Sequence, residues 1–155
     1  MSRCYNVYLA SPFFKEEQVE RVEFIETLLT KLGYSVFSPR KEFVVKPNAN
    51  KLDRTKGFHG NCNAINNCDF ILAVTDGKDM GTIWEAGYAY AKNKPILYFA
   101  ETLGNNDFNL MLAESCELGV CKNRDELETS LLNITKACCL DCYADSITGY
   151  IGEIE

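Results

Sequence analysis

The sequence predicts a single doubly wound α/β domain, in which helices cover both faces of a parallel sheet. Apolar and aromatic runs suited to strands occur at residues 5–10, 34–38, 70–75 and 95–100, and helical patterns lie between them. The runs at 70–75 and 95–100 are continuously apolar, as expected for strands that are buried on both faces. Strands alternating with helices at these spacings favour right-handed crossovers and one parallel sheet.

The first half of the chain contains two predicted strands and a helix between them. The strand at 5–10 ends at Ser11-Pro12, because the residue before a proline disfavours helix and proline removes a backbone donor. Apolar residues from Val19 to Leu32 recur at helical spacing, and Gly33 is placed to cap that helix. Pro39 ends the strand at 34–38, and residues 39–53 are expected to be polar and irregular.

The second half is predicted to complete the sheet. A helix is expected around Phe58, Cys62 and Ile65, ending at Asn66-Asn67, and it precedes the central strand at 70–75. After the loop 76–81 we expect a helix, the strand 95–100, and further helices at 109–115 and 124–137. Residues 143–155 are expected to form a C-terminal tail, and residues 1–155 to form one domain.

Composition restricts the possible partners. The chain has 155 residues, of which 46% are hydrophobic and 25% are charged, and it has a net charge of -6. This charge and the lack of a Lys/Arg cluster argue against nucleic-acid binding. No run approaches 18 apolar residues and no leader pattern is present, so we expect a soluble, cytoplasmic protein without membrane contact.

The eight cysteines are predicted to be free thiols, because the chain has enough apolar residues to fold without disulfides. Cys138, Cys139 and Cys142 include a C-x-x-C spacing, with Cys116 and Cys121 nearby, which leaves a zinc site as an alternative. A second C-x-x-C pair is missing, so we predict no metal site. The only histidine is His59, which we expect to be exposed; chemistry must therefore rely on carboxylates, tyrosines or thiols.

Ligands of doubly wound sheets bind beyond the carboxyl ends of the strands, here the loops 11–14, 39–53, 76–81 and 101–109. The loop after the first strand lacks the glycines of a phosphate-binding loop and instead carries Phe13 and Phe14. We expect at least one of these rings to pack in the core and the other to stack on a planar ligand. Arg40 is either a ligand for an anionic group or a surface cation.

Glu85 has two interpretations from the sequence alone. Thr82 and Glu85 have the spacing of a capping box, in which the glutamate bonds the backbone N–H of the cap residue. Alternatively, Glu85 and Asp79 are site carboxylates at the end of the central strand, with Glu85 kept ionised by the helix N-terminus. The pattern alone favours the cap.

Two neighbours of Glu85 also give expectations about packing. Gly87 lies inside the same predicted helix, where glycine is unfavourable, and this indicates close approach of another group to the backbone. Trp84 is expected to lie in the core.

Four segments, taken together, resemble the nucleoside 2-deoxyribosyltransferase family. They are Val7–Phe14, Val36–Arg40, the D-x-G-T-x-x-E motif that starts at Asp79, and Asn109-Leu-Met111, in this order over residues 5–115. The resemblance implies a flavodoxin-like sheet and transfer of 2-deoxyribose between nucleobases without a cofactor. It also implies a homo-oligomer, a dimer or larger, with shared sites that bind deoxyribonucleosides and free nucleobases.

The resemblance also implies roles for individual residues. Glu85 would be the nucleophile that forms a covalent deoxyribosyl intermediate, Asp79 would move the proton of the base, and Tyr8 would orient Glu85. Asn109 would reach the sugar hydroxyls in a neighbouring subunit's site. The substrate-binding set implied by the motifs and the loops is Phe13, Arg40, Asn61, Gly81, Asn109 and Met111.

The sequence departs from the family pattern at Asn61, where many relatives carry an aspartate. An amide cannot act as an acid, so Asp79 would carry more of the proton transfer. Two alternatives remain. One is hydrolysis of 2-deoxynucleosides or their 5'-monophosphates, which the glycine-free loop after the first strand disfavours. The other is a non-catalytic nucleotide-binding sensor, which the joint presence of Asp79, Glu85 and Asn109 disfavours.

Overall fold

Five parallel strands form one sheet in the order β2-β1-β3-β4-β5. The structure is a computed structural model and describes residues 3–155. The strands are β1 (Asn6–Ala10), β2 (Ser35–Phe37), β3 (Phe70–Val74), β4 (Ile96–Phe99) and β5 (Val120–Cys121). The predicted doubly wound parallel sheet is therefore confirmed. The strand order changes direction between β1 and β3, and such a switch point leaves a crevice at the carboxyl ends of the two strands.

Seven helices connect the strands within residues 3–155. They are α1 (Glu16–Lys31), α2 (Pro39–Glu42), α3 (Lys51–Asn67), α4 (Met80–Ala91), α5 (Leu110–Glu114), α6 (Arg124–Lys136) and α7 (Leu140–Ser146). The expectation that residues 39–53 are irregular is wrong in part. Pro39 opens α2, and Asn50 caps α3 by accepting a hydrogen bond from the Asp53 backbone N–H at 2.9 Å.

The sheet separates two hydrophobic cores. Every residue of β3 is buried, and its alternate side chains point to opposite faces. Phe70, Leu72 and Val74 pack with residues of α1, α6 and α7, whereas Ile71 and Ala73 pack with residues of α3, α4 and α5. The position of β3 in the centre of the sheet explains its uninterrupted apolar sequence.

The end of α1 has the predicted glycine cap. Gly33 has a φ of +88°, a left-handed conformation that side chains disfavour. The Gly33 N–H donates to the Thr30 carbonyl at 3.1 Å, and the Tyr34 N–H donates to the Leu29 carbonyl at 3.0 Å. The chain then enters β2 directly.

Asp76 fixes the loop after β3 to the loop after β4. Its carboxylate is buried and accepts hydrogen bonds from the backbone N–H groups of Glu101, at 3.0 Å, and Thr102, at 2.6 Å. Arg21 of α1 donates to the Glu101 carboxylate at 2.8 Å. The carboxyl edge of the sheet is thus held together by side chains as well as by the strand ladder.

The C-terminal segment packs back onto the domain. Tyr143 of α7 is buried in the core on the α1 side, so the predicted tail begins as a helix. The Phe108 N–H donates to the Glu153 carbonyl at 3.0 Å, and the Glu155 N–H donates to the Phe108 carbonyl at 3.1 Å. Among residues 3–155, no helix combines the length and apolar character needed to cross a membrane.

Replacing Asp76 with alanine is expected to lower the free energy of unfolding by about 1–3 kcal/mol, because the backbone N–H groups of Glu101 and Thr102 lose their shared, buried acceptor. Urea unfolding monitored by circular dichroism measures this change. Asp145→Ala, at an exposed position near the end of α7, is the matched control and should change stability by less than about 0.5 kcal/mol. Equal losses for the two variants would contradict the role given to Asp76.

Candidate active site

A hydrogen bond between β1 and α4 defines the candidate site. The Tyr8 hydroxyl donates to Oε1 of Glu85 at 2.7 Å, although 77 residues separate the two in sequence. Tyr8 is fully buried, and its ring stacks on Phe37 of β2 with 5.4 Å between ring centroids. The pair thus places Glu85 at the switch point between β1 and β3.

Phe37 has a part in the site that the sequence did not predict. It is the register partner of Tyr8 across the β1–β2 ladder, and it is one of the residues packed on the core at the α3–α4 face. Equivalent positions in neighbouring parallel strands point to the same face. The sequence did carry one signal for this pairing. Tyr8 lies two residues before Ala10, and Phe37 lies directly before Ser38, so each aromatic residue is close to the carboxyl end of its strand.

The N-terminal cap of α4 is Asp79. Its Oδ2 accepts hydrogen bonds from the Thr82 backbone N–H at 2.8 Å and from the Thr82 hydroxyl at 3.0 Å. The predicted capping box, with Thr82 as the cap and Glu85 as its partner, is therefore wrong. Because aspartate three residues earlier serves as the cap, Glu85 lies in the second turn and its side chain is available to Tyr8.

The ionisation of Glu85 also differs from the expectation. Burial raises the pKa of Glu85 to about 7, the Tyr8 hydrogen bond opposes this rise, and the negative charge of Asp79 adds to it. The expected stabilisation of the anion by the helix N-terminus is wrong, because Glu85 lies beyond the first turn. A carboxylate with this pKa is available as a poorly solvated anion just above neutral pH.

Tyr8 acts as a fixed donor in this pair. Burial raises the pKa of Tyr8 far above its ordinary value, and the adjacent Glu85 raises it further. The hydroxyl therefore stays protonated at neutral pH. Oε1 of Glu85 is held by Tyr8, while Oε2 has no hydrogen-bond partner among the described residues.

Helix α3 borders the site on the other side of Glu85. Burial raises the pKa of the Cys62 thiol, and the charge of Glu85 raises it further, which places Cys62 near Glu85. Its neighbour Asn61 has a buried side-chain oxygen that no group within residues 3–155 hydrogen-bonds. Buried amide oxygens are normally paired, so Asn61 has an acceptor available for a ligand.

The two aromatic residues after β1 have different surroundings. Phe13 is half-buried and packs against the core on the α1 side, whereas the side chain of Phe14 is 74% exposed. Their ring centroids are 5.0 Å apart. The prediction that at least one ring packs in the core is confirmed by Phe13, and Phe14 is the more exposed of the two rings. The substrate contact implied for Phe13 stays a prediction.

Arg40 is committed to an ion pair within the chain. Its Nη2 and Nε lie 2.6 Å and 2.9 Å from the two carboxylate oxygens of Glu26, which is buried in α1. Lys41 also contacts Glu26, at 2.9 Å. This bidentate pair gives Arg40 a structural role, which corrects its assignment as a ligand for an anionic substrate group.

Asn109 and Met111 lie in a different place from Glu85. They line an open cleft of about 1050 Å³ between the loops that follow β3 and β4, together with Ile83 and Phe108. Neither Glu85 nor Tyr8 lines this cleft. The Asn109 side chain accepts a hydrogen bond from the Met111 N–H at 3.0 Å and so caps α5. The role that the resemblance implies for Asn109, in a neighbouring subunit's site, stays a prediction.

The sequence also gave expectations for Gly81, Gly87, Trp84 and His59, and the structure agrees with only some of them. A Cβ at Gly81 would lie 3.1 Å from Oδ2 of Asp79, so glycine leaves room for the cap. A Cβ at Gly87 would meet nothing within 4 Å among the described residues, so the predicted close approach is wrong within the chain. Trp84 is 50% exposed rather than in the core, whereas His59 is exposed as predicted.

The family model described as nucleoside 2-deoxyribosyltransferase matches residues 7–132. The chain belongs to the nucleoside 2-deoxyribosyltransferase family. The matched range includes Tyr8, Asp79, Glu85 and Asn109, and it confirms the resemblance found in the four sequence segments. A comparison with curated protein sequences gives no significant match.

Solved structures of similar fold include a member of the same family. The 2-deoxyribosyltransferase of Bacillus psychrosaccharolyticus is 32% identical, with a TM-score of 0.71, over 79% of this chain and 90% of that one. A conserved protein of Enterococcus faecalis V583 is 16% identical, with a TM-score of 0.57, over 86% of this chain and 89% of that one. The CMP N-glycosidase BcmB of Clostridium botulinum is 21% identical, with a TM-score of 0.57, over 85% and 99%. The last two show likeness of fold alone.

The raised pKa of Glu85 predicts a pH-dependent effect of Glu85→Gln on stability. The folded pKa of about 7 exceeds the ordinary value of 4.5, so folding of the wild type becomes less favourable as the pH rises between these values. Glutamine keeps an acceptor for Tyr8 but cannot ionise. The variant should therefore gain about 2–3 kcal/mol relative to the wild type between pH 5 and pH 8.

Chemical denaturation at the two pH values measures this difference. Glu17→Gln removes a carboxylate from the exposed first turn of α1 and is the control for loss of a surface charge. If the stability difference between Glu85→Gln and wild type is the same at both pH values, the carboxylate is not the buried, weakly solvated group described above.

Proposed function

We propose that this protein exchanges the nucleobase of 2-deoxyribonucleosides in nucleoside salvage, through a covalent deoxyribosyl intermediate on Glu85. The observation that carries the proposal is the 2.7 Å hydrogen bond between Tyr8 and the half-buried Glu85 at the switch point of the sheet. Membership of the family supports the reaction class. The partners are deoxyribonucleosides and free nucleobases. Eight free thiols support a reducing, cytoplasmic location.

The reaction requires two displacements at one carbon atom. Oε2 of Glu85 attacks the anomeric carbon of the sugar, and the bond to the base breaks with its electron pair leaving on the base nitrogen. A nitrogen of the second base then attacks the same carbon, and the Glu85 carboxylate leaves. Two inversions give net retention, as in retaining glycosidases. Tyr8 holds Oε1 and so directs Oε2 at the sugar.

We assign the proton transfer to Asp79 and recognition of the base to Asn61. The Asp79 Oδ2 atom is occupied by the helix cap, which leaves Oδ1 to carry the proton to or from the base nitrogen. Asn61 has a buried oxygen that can accept a hydrogen bond from a base N–H. Phe14 is the exposed ring able to stack on the base, beside Phe13.

Hydrolysis of deoxynucleoside 5'-monophosphates is the second candidate, since an N-glycosidase shares the fold. One observation disfavours a 5'-phosphate. The buried side-chain oxygen of Gln18 accepts hydrogen bonds from the backbone N–H groups of Phe14 and Lys15, at 2.9 Å and 3.1 Å. These are the donors that a phosphate beside the N-terminus of α1 would need. The loop is therefore better suited to an uncharged sugar terminus.

Incubation with deoxyadenosine and a second base should produce the second deoxynucleoside, which chromatography separates from the starting material. Glu85→Ala should lower turnover by about 10³-fold or more, since the covalent intermediate cannot form. Glu17→Ala is the matched control and should retain wild-type turnover. Mass spectrometry of a trapped intermediate should find deoxyribose on Glu85.

Three other results would each contradict part of this proposal. Free deoxyribose as the sole sugar product, with or without a second base, would contradict transfer and favour the glycosidase. A deoxyribosyl adduct on another residue would contradict the role of Glu85. If neither product forms with any base, the catalytic proposal fails and the non-catalytic nucleotide sensor is favoured.

We also propose that the protein is a homo-oligomer with shared sites. Met80, Trp84 and Gly87 are exposed on one face of α4, where the Trp84 ring stacks on that of the half-buried Tyr88 with 5.3 Å between ring centroids. Gly87 leaves open space on this face. A second copy packed here would cover the exposed Trp84 ring, and in the proposed oligomer a neighbouring copy supplies Asn109 and Met111 to the Glu85 site.

Gly87→Arg should disrupt the oligomer without disturbing the monomer, because a side chain at this position meets only open space within the chain. Sedimentation should give a mass at least twice 17.5 kDa for the wild type and a smaller mass for the variant. Gly149→Arg also enters open space and is the control. Trp84 is the sole tryptophan, so its emission should shift to longer wavelength on dissociation.

An unchanged mass for Gly87→Arg would exclude this face of α4 as the interface. A wild-type mass of one chain at micromolar concentration would exclude the oligomer itself.

A further inference from the structure

Three cysteine side chains converge where α6 meets α7. The Sγ atoms of Cys138, Cys139 and Cys142 all lie within 4.8 Å of one another, and those of Cys139 and Cys142 are 3.1 Å apart. Cys138 and Cys142 are exposed, and Cys139 is half-buried. Cys116 and Cys121, which the sequence pattern left as possible partners, are buried and do not belong to this group.

We propose that Cys138, Cys139 and Cys142 bind one thiophilic d¹⁰ cation, Zn²⁺ or Cu⁺, at the α6–α7 junction. Zinc–thiolate bonds are about 2.3 Å long, so two sulfurs bound to the same ion are at most about 4.6 Å apart. The three Sγ atoms already lie close to this limit or within it. Small side-chain rotations are sufficient to place them around one ion.

The local backbone holds the cluster in place. Cys139 is the residue before α7, and its Sγ accepts a hydrogen bond from the Cys142 backbone N–H at 3.3 Å. Such a bond fixes the direction of the sulfur and supports its thiolate form, as outer hydrogen bonds do for metal ligands. One helical turn then brings Cys142 back towards Cys139.

The type of ligand selects the type of ion. The group offers three cysteine sulfurs and no carboxylate, which disfavours Mg²⁺ and Ca²⁺ and favours soft or borderline cations. Three sulfurs satisfy a trigonal Cu⁺, whereas Zn²⁺ would keep a water molecule in its fourth position. Binding replaces three thiol protons with one cation, so the protons are released to solvent.

The cation would connect the loop before α7 to the first turn of this helix. Tyr143, directly after Cys142, is buried in the core on the α1 side, and Leu140, Ala144 and Ile147 pack against that core. Fixing the start of α7 therefore stabilises the packing of the C-terminal segment. The site does not include Glu85, so its test is independent of the proposed reaction.

Thiol counting on the reduced full-length chain tests the proposal. Four thiols are exposed or half-buried, those of Cys4, Cys138, Cys139 and Cys142, and should react with a chromogenic thiol reagent in the native protein. One equivalent of Zn²⁺ should protect three of them and leave Cys4 reactive. A parallel titration with Cu⁺ under anaerobic conditions, with chelator competition in both arms, shows which cation binds more tightly.

Cysteine-to-serine variants locate the ligands. Cys142→Ser should weaken binding by more than the roughly 10–100-fold that loss of an outer hydrogen-bond partner costs. Cys4→Ser removes an exposed thiol outside the cluster and should bind one equivalent with wild-type affinity. The proposal is overturned if neither cation protects any thiol of the wild type, or if Cys4→Ser weakens binding as much as Cys142→Ser.

Discussion

The candidate site depends on one hydrogen bond, which runs from a strand in the centre of the sheet to a helix that covers it. Tyr8 and Glu85 meet because β1 and β3 are neighbours and α4 directly follows β3. The sheet therefore sets the position of the carboxylate, and a tyrosine held by packing on both sides sets its direction. A side chain on a surface loop would not hold an anion so firmly against the loss of hydration.

The segment from Asp79 to Glu85 contains two carboxylates with different roles: Asp79 caps α4, and Glu85 is held by Tyr8. Asp79 accepts the Thr82 N–H at the start of α4, and Glu85 is left partly desolvated. The two negative charges are close enough for Asp79 to raise the pKa of Glu85. A raised pKa and weak solvation make a carboxylate a stronger nucleophile, which is the property that the role proposed for Glu85 requires.

Patterns that depend on burial were predictable from the sequence, whereas pairings across long distances were not. The runs at β3 and β4 are apolar because both faces are covered, so they are visible in the sequence. Strand β5 has two residues and gives no periodic signal. Asp79 and Thr82 are both suitable caps, and spacing alone does not decide between them. The Glu26 partner of Arg40 and the core position of Phe13 are set by tertiary packing.

Gln18 has a consequence for how this fold distinguishes ligands. Its amide oxygen accepts hydrogen bonds from two main-chain N–H groups beside the first strand, so these donors are not open to an anionic ligand. The same side chain also borders Gly77 in the loop after β3, since a Cβ there would lie 3.3 Å from its Nε2. Under the proposed function, one glutamine side chain that is long enough to reach these donors favours a nucleoside over a nucleotide, without any change in the sheet.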